Sequence, residues 1–492
     1  MDLGNIASLR YALPEGILAT AVVSIILLEL VVRRKEMLGE LALLAVAGAC
    51  LAGAVQSGGP QGWLFNRMVV IDGFAVFFKI LLGLGAFGAV WMSLGSKELD
   101  REHLGEYYAI LLAATLGMYY MASATNLLMA YLALEFVSQT FYILTGFLRH
   151  SRRSAEGALK YLIYGGVASG AMLYGMSLIY GLSGSLDYQT IGSALAASEG
   201  AAPALFLALV LVLAGFGYKI AMVPFHMWSP DVYQGAPLPI TAFLAVASKA
   251  AGFAMLIRFF YPGLSTLGAG GVWLPLAGVD WPSLMVVASM VTMTLGNLAA
   301  LRQDNLKRLL AYSSIAHAGY ILMGFVVLNN EGLRAMLFYM VVYYMMTLGA
   351  FVVLMMVMNN SGRDDMESMR GLAWRGGALP AAAMMIFLFS LAGLPPLAGF
   401  IGKFYLFAAV INAKMWTFAV VAGLNSVVAL YYYARIVRTM YMDQPLEGDP
   451  VMAVDLHNSI LVAALVIGTL VFGVYWAPVV NLADRSLLFF GG

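Results

Sequence analysis

Charged residues are scarce in this chain. Asp, Glu, Lys and Arg together make up 11% of its 492 residues, whereas hydrophobic residues make up 62%. Soluble domains carry about 25% charged residues, so this composition does not suit a water-facing surface of such size. The mean hydropathy of +0.86 points the same way. The composition therefore predicts an all-α integral membrane protein, because helices with satisfied backbone groups are the common way to cross a bilayer.

Cysteine is almost absent as well. The single Cys50 excludes an internal disulfide and an iron–sulfur cluster held by this chain's own cysteines. No CxxC, GxGxxG or GxxxxGK[ST] motif follows a strand pattern, so no nicotinamide, flavin or ATP site is expected. The five histidines show no close spacing suited to a metal, and the net charge of +1 gives no field that attracts nucleic acid. We therefore expect no cofactor, metal or nucleic acid on this chain.

Long hydrophobic runs fill most of the sequence. Segments of about 20 apolar residues match the thickness of a bilayer. We predict fourteen transmembrane helices, at Leu13–Val32, Met37–Val55, Phe74–Leu94, Tyr107–Ala124, Leu127–Leu148, Ala155–Leu182, Pro203–Val223, Leu238–Phe260, Pro282–Leu301, Leu306–Leu328, Gly332–Met358, Leu379–Lys403 and beyond, Met415–Arg435, and Ser459–Val479.

The basic residues are distributed unevenly between alternate loops. If the side of the first interhelical loop is termed the inside, seventeen of the 27 Lys and Arg residues fall there, Lys307 among them. Six fall outside, including Arg258, and the remaining four are Lys79, Lys219, Lys249 and Lys403, within helices. Positive charge favours the cytoplasmic side. The bias predicts an even helix count with both termini outside.

Two of the predicted helices are interrupted by proline. Pro224 follows Lys219 in the seventh, and Pro395 and Pro396 precede Lys403 in the twelfth. Proline removes a backbone donor, and paired broken helices in two halves of a chain are typical of inverted repeats. We therefore predict two inverted five-helix repeats, helices 4–8 and 9–13. Within a single membrane domain, this gives an N-terminal three-helix unit, two repeats and a C-terminal helix, at 1–105, 106–260, 282–440 and 457–480.

Four charged side chains lie deep in the predicted membrane region. A buried ammonium costs several kcal/mol, so Glu135 on helix five is predicted to pair with Lys219. Lys249 and Lys403 lack a second acid at that depth. Desolvation disfavours the charged form of lysine, so these groups are suited to take up and release protons. The alternative reading is structural: an ion pair for Glu135 and Lys219, snorkelling for Lys249 and water exposure for Lys403.

Three further groups are less clear from the residues alone. Lys79 is about a turn and a half from the start of its helix, and we expect it to snorkel to the interface. His226 follows Pro224, and His317 has Ser313, Ser314 and Tyr320 nearby. Histidine titrates near neutral pH and suits a proton relay. A buried histidine with a structural hydrogen bond is an equal alternative for both positions.

Three stretches of this chain also resemble a known family. PFHMWSPDVYQGAPLPITAFLAVASKAAGF, RQDNLKRLLAYSSIAHAGY and GLPPLAGFIGKFYLF are similar to signature blocks of the antiporter-like subunits of respiratory complex I. The form SPDVYQGAP followed by TAF resembles the N-subunit family of bacterial NADH–quinone oxidoreductase rather than the L and M subunits.

The resemblance implies a function and a set of relay residues. It implies fourteen helices with two inverted repeats, and a proton route formed by Glu135, Lys219, Lys249 and Lys403. The chain is then expected to translocate protons while other subunits carry NADH, FMN, iron–sulfur clusters and quinone. The expected partners are the M subunit and small membrane subunits of the K, J and A types, and the expected location is the bacterial inner membrane with periplasmic termini.

Two other functions share these features. A subunit of a multisubunit cation/proton antiporter has the same fold and lysines, although the DVYQGAP block disfavours it. A structural subunit of a membrane-bound hydrogenase or quinone reductase does not need all four membrane charges. A free-standing enzyme is not expected, because no nucleophile–base constellation is present.

Overall fold

Helices account for most of the structure. The computed structural model describes residues 3–197, 202–268, 271–276, 278–445 and 450–487, so both chain ends lie outside the described residues. The helices are α1 Asn5–Ser8, α2 Leu13–Glu29, α3 Glu36–Gln56, α4 Gly73–Leu94, α5 Leu104–Ser123, α6 Leu127–Thr145, α7 Arg152–Ser183, α8 Tyr188–Ala197, α9 Ala202–Ile220, α10 Ser229–Gly235, α11 Leu238–Phe243, α12 Lys249–Leu264, α13 Trp281–Ala300, α14 Leu306–Val326, α15 Asn330–Ser361, α16 Ala378–Ala392, α17 Ala398–Asn412, α18 Trp416–Tyr441, α19 Leu456–Val474 and α20 Ala477–Leu487.

The predicted membrane helices have counterparts in the structure. By length and composition, eleven helices in the described ranges suffice to cross a membrane, and twelve if α1 and α2 with their connection count as one bent span. The helical membrane class is therefore confirmed. Helix α5 and the shorter α16 and α17 are not among the eleven. The total of fourteen and the inverted repeats accordingly remain predictions.

Both predicted helix interruptions are present. The seventh predicted helix divides into α9 and α10, separated by 221–228, and the twelfth divides into α16 and α17, separated by 393–397. A third irregularity was not predicted: Leu244–Ser248 forms a π-helical turn between α11 and α12. Insertions of this kind carry no proline signature, and they often occur at functional sites.

The connecting segments gather on two opposite faces. On one, the basic face, the segment after α4 contacts the start of α3 and the last turn of α15: Arg101 pairs with Glu36, and Lys97 donates hydrogen bonds to Asn359. The other, the hairpin face, carries two antiparallel β-hairpins, β1 Gly62–Leu64 with β2 Val69–Ile71, and β3 Ser265–Leu267 with β4 Trp273–Pro275. The helices run between these two faces.

Polar residues define many helix starts. Asn126, Asn305, Asn329 and Asp455 each accept a hydrogen bond from a backbone N–H in the first turn of the following helix. Such caps satisfy donors that lack an intrahelical partner, which matters more where little water is available. The sequence thus marks the ends of its helices with the few polar residues that it has.

Three helical segments form the centre of the bundle. The most apolar windows of Leu238–Leu264, Leu306–Val326 and Asn330–Ser361 are 100%, 94% and 89% buried. The corresponding windows of α18 and α19 are only 33% and 28% buried, so these helices present broad faces to the surroundings. Apolar exposure on the outer helices is expected where lipid is the solvent, and any charge on the inner three must find its partner within the protein.

Lys79 corrects one prediction. It does not snorkel: its side chain is 1% exposed, and its Nζ lies 2.6 Å from Oε1 of Glu15 on α2. Sequence reasoning missed this because Glu15 is distant in sequence and lies near a helix start, where acids are common. The pair joins α4 to α2 within the N-terminal helices.

Arg258 is a second buried cation that the charge count alone does not reveal. It lies within the predicted eighth helix, is buried in α12 and forms two hydrogen bonds with Asp72, the residue that caps α4. Its Nε also donates to the carbonyl of Ala122. Similarly, Lys307 was assigned to an inside loop but is 3% exposed in the first turn of α14, beside Glu98.

The Glu15–Lys79 pair gives a stability prediction. Glu15→Ala strands a buried ammonium, and breaking a buried pair in this way costs about 3–5 kcal/mol. Glu36→Ala is the matched control, because its carboxylate is 45% exposed and its ion pairs with Arg34 and Arg101 are worth about 0–1 kcal/mol. We expect thermal unfolding of the detergent-solubilised protein to shift markedly for Glu15→Ala alone. Equal midpoints for the two variants would contradict the assignment.

Candidate functional site

Lys219 lies at the broken end of α9. It occupies the last turn of the helix, is 1% exposed, and its Nζ lies in a buried position without a hydrogen-bond partner. The break leaves backbone groups free, and one of them, the N–H of Val223, donates to Oγ1 of Thr292 on α13. A neighbouring helix thus satisfies the irregular backbone, as membrane depth requires.

Glu135 does not contact Lys219 as predicted. Among the described residues, no ion pair within 4.0 Å joins the two, and Oε1 of Glu135 is buried without a hydrogen-bond partner. Glu135 is partly exposed on α6, and its carboxylate still acts on Lys219 electrostatically. The predicted direct pairing is therefore wrong for this conformation, although the Glu135 carboxylate still interacts electrostatically with Lys219.

Lys249 begins α12 directly after the π-helical turn. It is 3% exposed, so snorkelling is excluded, and its Nζ donates to Oγ of Ser314 on α14 over 2.6 Å. The stem of Lys219 packs against the same helix one turn away: a Cβ at Gly252 would lie 3.1 Å from Lys219 Cγ. The structure therefore brings these two lysines to one helix.

Ser314 has two polar neighbours besides Lys249. Its Oγ also accepts a hydrogen bond from the hydroxyl of Tyr343 over 2.8 Å and lies 3.4 Å from that of Tyr233. All three side chains are buried. The ammonium of Lys249 is thus held by neutral hydroxyl groups, and no carboxylate neutralises it in the described part of the chain.

Lys403 lies at the second break. It is 5% exposed, and its Nζ donates to the carbonyl of Ala392, the last residue of α16, over 3.0 Å. It also donates to Oγ of Ser426 over 3.4 Å and lies 4.6 Å from the centre of the Tyr320 ring. Gly393 makes this approach available, because a Cβ there would lie 2.9 Å from Lys403 Cδ.

His317 lies on α14 between the two lysines. Its ring is fully enclosed, with Nδ1 2.7 Å from the hydroxyl of Tyr339 and Nε2 3.2 Å from that of Tyr433. Tyr433 is in turn hydrogen-bonded to Ser313. The His317 ring packs at 5.7 Å from the ring of Tyr320, which borders Lys403. The predicted placement of His317 beside Ser313, Ser314 and Tyr320 corresponds to this cluster.

Several polar groups of the cluster were missed from the sequence. Tyr320 is within hydrogen-bond distance of Ser426 and Asn297, and Asn297 accepts from Tyr432 and donates to Asn425. The only available signal was the presence of Asn297 and Asn425 inside predicted membrane helices, where an amide needs partners.

His226 is placed differently from His317. It is 3% exposed in the segment between α9 and α10, its Nδ1 has no hydrogen-bond partner, and its backbone carbonyl accepts from Ser229. Rings from Tyr161, Tyr218 and Trp228 pack together beside this segment. His226 therefore does not join the cluster around His317 in the described residues.

The SPDVYQGAP block lies between the lysine site and the basic face. Asp231 of α10 accepts hydrogen bonds from Lys160 over 2.6 Å and from Arg308. Partial burial raises the pKa of Asp231, but these two cations lower it more, so its net pKa falls below the ordinary value. Asp231 thus ties α7, α10 and α14 together, which fixes the position of Tyr233 against Ser314.

One exposed group of potential metal ligands lies apart from the lysines. Asp100, Glu102 and His103 have ligand atoms within 4.8 Å of one another on the basic face. Exposed acidic groups are common without an ion, and this group is exposed.

Comparison with known proteins bears on this arrangement. The family model described as NADH:quinone oxidoreductase/Mrp antiporter, transmembrane, matches residues 124–429. NADH-quinone oxidoreductase subunit N of Anaeromyxobacter sp. (strain Fw109-5) is 44% identical over 513 aligned positions, covering 99% of this chain and 98% of the relative. These matches include both helix breaks and all three lysine-bearing helices.

Solved structures agree with the family match. A chain of respiratory complex I from Thermus thermophilus with bound Aureothin is 33% identical, with a TM-score of 0.81, covering 96% of this chain and 99% of that one. A chain of the Mrp complex from Dietzia sp. DQ12-45-1b has a TM-score of 0.83 at 20% identity, covering 98% of each chain, and that likeness shows the fold alone. Sequence identity over nearly the full length thus separates this chain from the antiporter alternative, and the chain belongs to the subunit N family of NADH–quinone oxidoreductases.

Proposed function

We propose that protons cross this subunit along the buried polar residues that connect Lys219, Lys249, His317 and Lys403. The main support is that Lys249 and Lys403 are both buried and both form hydrogen bonds to neutral oxygen atoms. Lys249 donates to Ser314, and Lys403 donates to the Ala392 carbonyl and to Ser426. A lysine held by a carboxylate keeps its charge, whereas one held by neutral groups loses a proton more readily. The chain therefore contributes proton translocation to a respiratory complex.

His317 lies between Lys249 and Lys403 in this route. It is hydrogen-bonded to Tyr339 and Tyr433, and Tyr433 contacts Ser313, the neighbour of Ser314. On the other side it packs against Tyr320, which borders Lys403. A proton leaving Lys249 thus meets hydroxyl and imidazole groups before Lys403. We assign the relay role to His317 rather than to His226, which lies outside this cluster.

Glu135 is proposed to tune Lys219 from a distance. Its carboxylate acts electrostatically on Lys219 without contact, and both groups have buried polar atoms that lack a hydrogen-bond partner. A movement that brings the two groups together or separates them further would change this interaction. Contact would hold the proton on Lys219, and separation would release it toward Lys249, since an opposite charge favours the charged form.

The topology proposed for this function follows the charge bias. We infer fourteen membrane helices, with two inverted repeats that each contain one broken helix and termini on the outer side of a bacterial inner membrane. The helices run between a basic face and a hairpin face, which supports this arrangement. The basic face then faces the cytoplasm.

The redox chemistry is assigned to other subunits. Relatives of this chain are named as subunits of NADH-quinone oxidoreductase, so we infer a translocase that receives its driving force from partner chains. NADH, FMN, iron–sulfur clusters and quinone would be bound there, and the single Cys50 supports the absence of a cluster here. The M subunit and small K-, J- and A-type membrane subunits are the proposed neighbours, with lipid around the outer helices.

Replacing Lys249 tests the relay at its centre. Lys249→Met keeps the length of the side chain and removes the proton carrier, so we expect coupled NADH–quinone turnover and proton pumping to fall at least about tenfold, equivalent to about 1.4 kcal/mol in the barrier. Both are measured in membrane vesicles containing the whole complex, per assembled complex. The control is Lys414→Met on the exposed surface, for which no change is expected. Full pumping by Lys249→Met would overturn the proposed route.

Substitution of the two histidines distinguishes a relay role from a structural one. Glutamine forms hydrogen bonds like those of a neutral imidazole but does not take up a proton at neutral pH. We therefore expect His317→Gln to assemble normally and to lose most pumping, while His226→Gln retains most of it. The same vesicle assay measures both variants. Equal pumping by the two would show that His317 only holds the shape of the cluster.

A further inference from the structure

We propose that Glu98 and Lys307 form a proton entry port on the basic face that supplies Lys249. This inference rests on the proposed relay and adds to it the place where protons enter. The two residues come from distant parts of the chain, the segment after α4 and the first turn of α14, and neither was predicted to have a role. Their side chains meet with Glu98 Oε1 at 3.3 Å from Lys307 Nζ.

A cavity on the basic face reaches Glu98. It has a volume of about 360 Å³, and Glu98, Asp100, His103, Arg149 and His150 are among its lining residues. Glu98 is 22% exposed, whereas Lys307 is 3% exposed. The carboxylate therefore stands between a water-accessible space lined with titratable groups and a buried ammonium.

The polar contacts continue inward from Lys307. Its Nζ donates to the carbonyl of Ala236 over 3.2 Å, and the hydroxyl of Thr241 lies 3.4 Å from the same carbonyl. Thr241 donates to the carbonyl of Tyr233 over 3.0 Å, and the Tyr233 hydroxyl lies 3.4 Å from Ser314, the partner of Lys249. The contacts thus lead from the cavity to the centre of the bundle.

Helix geometry supports the same direction. Lys307 and Ser314 are seven residues apart on α14, so they share one face two turns apart, about 10 Å along the axis. The side chain of Tyr233 lies at the inner end of this interval, and Thr241 lies near its outer end. The hydroxyl groups of Tyr233 and Ser314 are the proton-carrying groups at its inner end.

Entry at Lys219 is less favoured by the surroundings of that residue. Its Nζ has no hydrogen-bond partner, and the buried rings of Tyr161, Tyr218 and Trp228 pack at the break that follows it. Glu98, in contrast, itself lines the cavity. Glu98 therefore has more direct access to the basic face than Lys219 has.

The proton balance of the port is simple. A hydronium ion in the cavity gives its proton to the Glu98 carboxylate, which removes the attraction that holds the proton on Lys307. The Lys307 ammonium then passes a proton inward, through the Tyr233 and Ser314 hydroxyl groups, to Lys249 once that residue has given its own proton to the relay, and Lys307 becomes a neutral amine. Glu98 returns its proton to that amine and restores the ion pair. One proton has moved inward, and both groups regain their starting charge.

The test replaces Glu98 by an isostere in the whole complex. In Glu98→Gln the amide oxygen still accepts the hydrogen bond from the backbone N–H of Leu238, which Glu98 Oε2 now accepts over 2.8 Å. We expect NADH–quinone turnover and proton pumping per assembled complex to fall at least tenfold in membrane vesicles, with partial recovery in Glu98→Asp. Glu102→Gln, an exposed acid in the same segment, is the matched control and is expected to leave both unchanged.

A second variant covers a failure to assemble. Combining Glu98→Gln with Lys307→Gln removes both charges and leaves no stranded ion. Normal assembly with turnover lowered tenfold supports the port. Normal assembly with normal turnover, unchanged turnover in Glu98→Gln, or loss of assembly in both variants shows a structural pair and overturns it.

A parallel measurement separates this inference from the proposed function. If Lys249→Met abolishes pumping while Glu98→Gln does not, only the port is wrong. If Lys249→Met retains full pumping, the relay itself is wrong, whatever Glu98→Gln does.

Discussion

A cation buried in a bilayer protein must be held by something other than water, and this constraint organises the structure. The cations buried within the helices fall into two classes. Lys79, Arg258 and Lys307 are paired with carboxylates, whereas Lys219, Lys249 and Lys403 are in no ion pair within the described part of the chain. Lys249 and Lys403 are held by hydroxyl and carbonyl oxygens, and the Nζ of Lys219 has no hydrogen-bond partner among the described residues. A carboxylate fixes the charge of its partner, but a neutral acceptor stabilises it only modestly. The first class therefore suits scaffolding, except at Lys307, where the partly exposed Glu98 can itself take up a proton, and the second class suits proton transfer.

The sequence predicted the second class better than the first. Lys219, Lys249 and Lys403 stand alone in long apolar runs, so each signals its own burial. The paired cations lie near helix ends, where charges are ordinary, and only the tertiary structure reveals that Glu15 or Asp72 closes over them. The same reasoning explains the failure for Glu135 and Lys219, because depth in the membrane constrains which residues need partners without fixing the last few ångströms between them.

The helix breaks were predictable and the π-helical turn was not. Proline announces the interruptions after Lys219 and before Lys403, since its ring removes a backbone donor. The turn at Leu244–Ser248 consists of Leu, Ala, Val, Ala and Ser, which are compatible with an ordinary helix. Tertiary packing must favour the extra residue there. Its position directly before Lys249 sets the rotation of that side chain toward Ser314, so a feature without a sequence signature orients the central residue of the site.

In both broken helices a lysine lies near the C-terminal end of a half-helix, although the order of lysine and proline in the sequence is reversed. Lys219 precedes its proline, whereas Lys403 follows its pair of prolines. In the structure, Lys219 lies in the last turn of α9, and Lys403 reaches back to the final carbonyl of α16. Both ammonium groups thus lie at the C-terminal end of a half-helix, where the helix dipole favours a cation by about 0.3–2 kcal/mol. This stabilisation is smaller than that of a carboxylate partner, so it holds a proton in the absence of water without preventing its departure. A break in each helix is therefore what allows a lysine to stay buried and still change its charge.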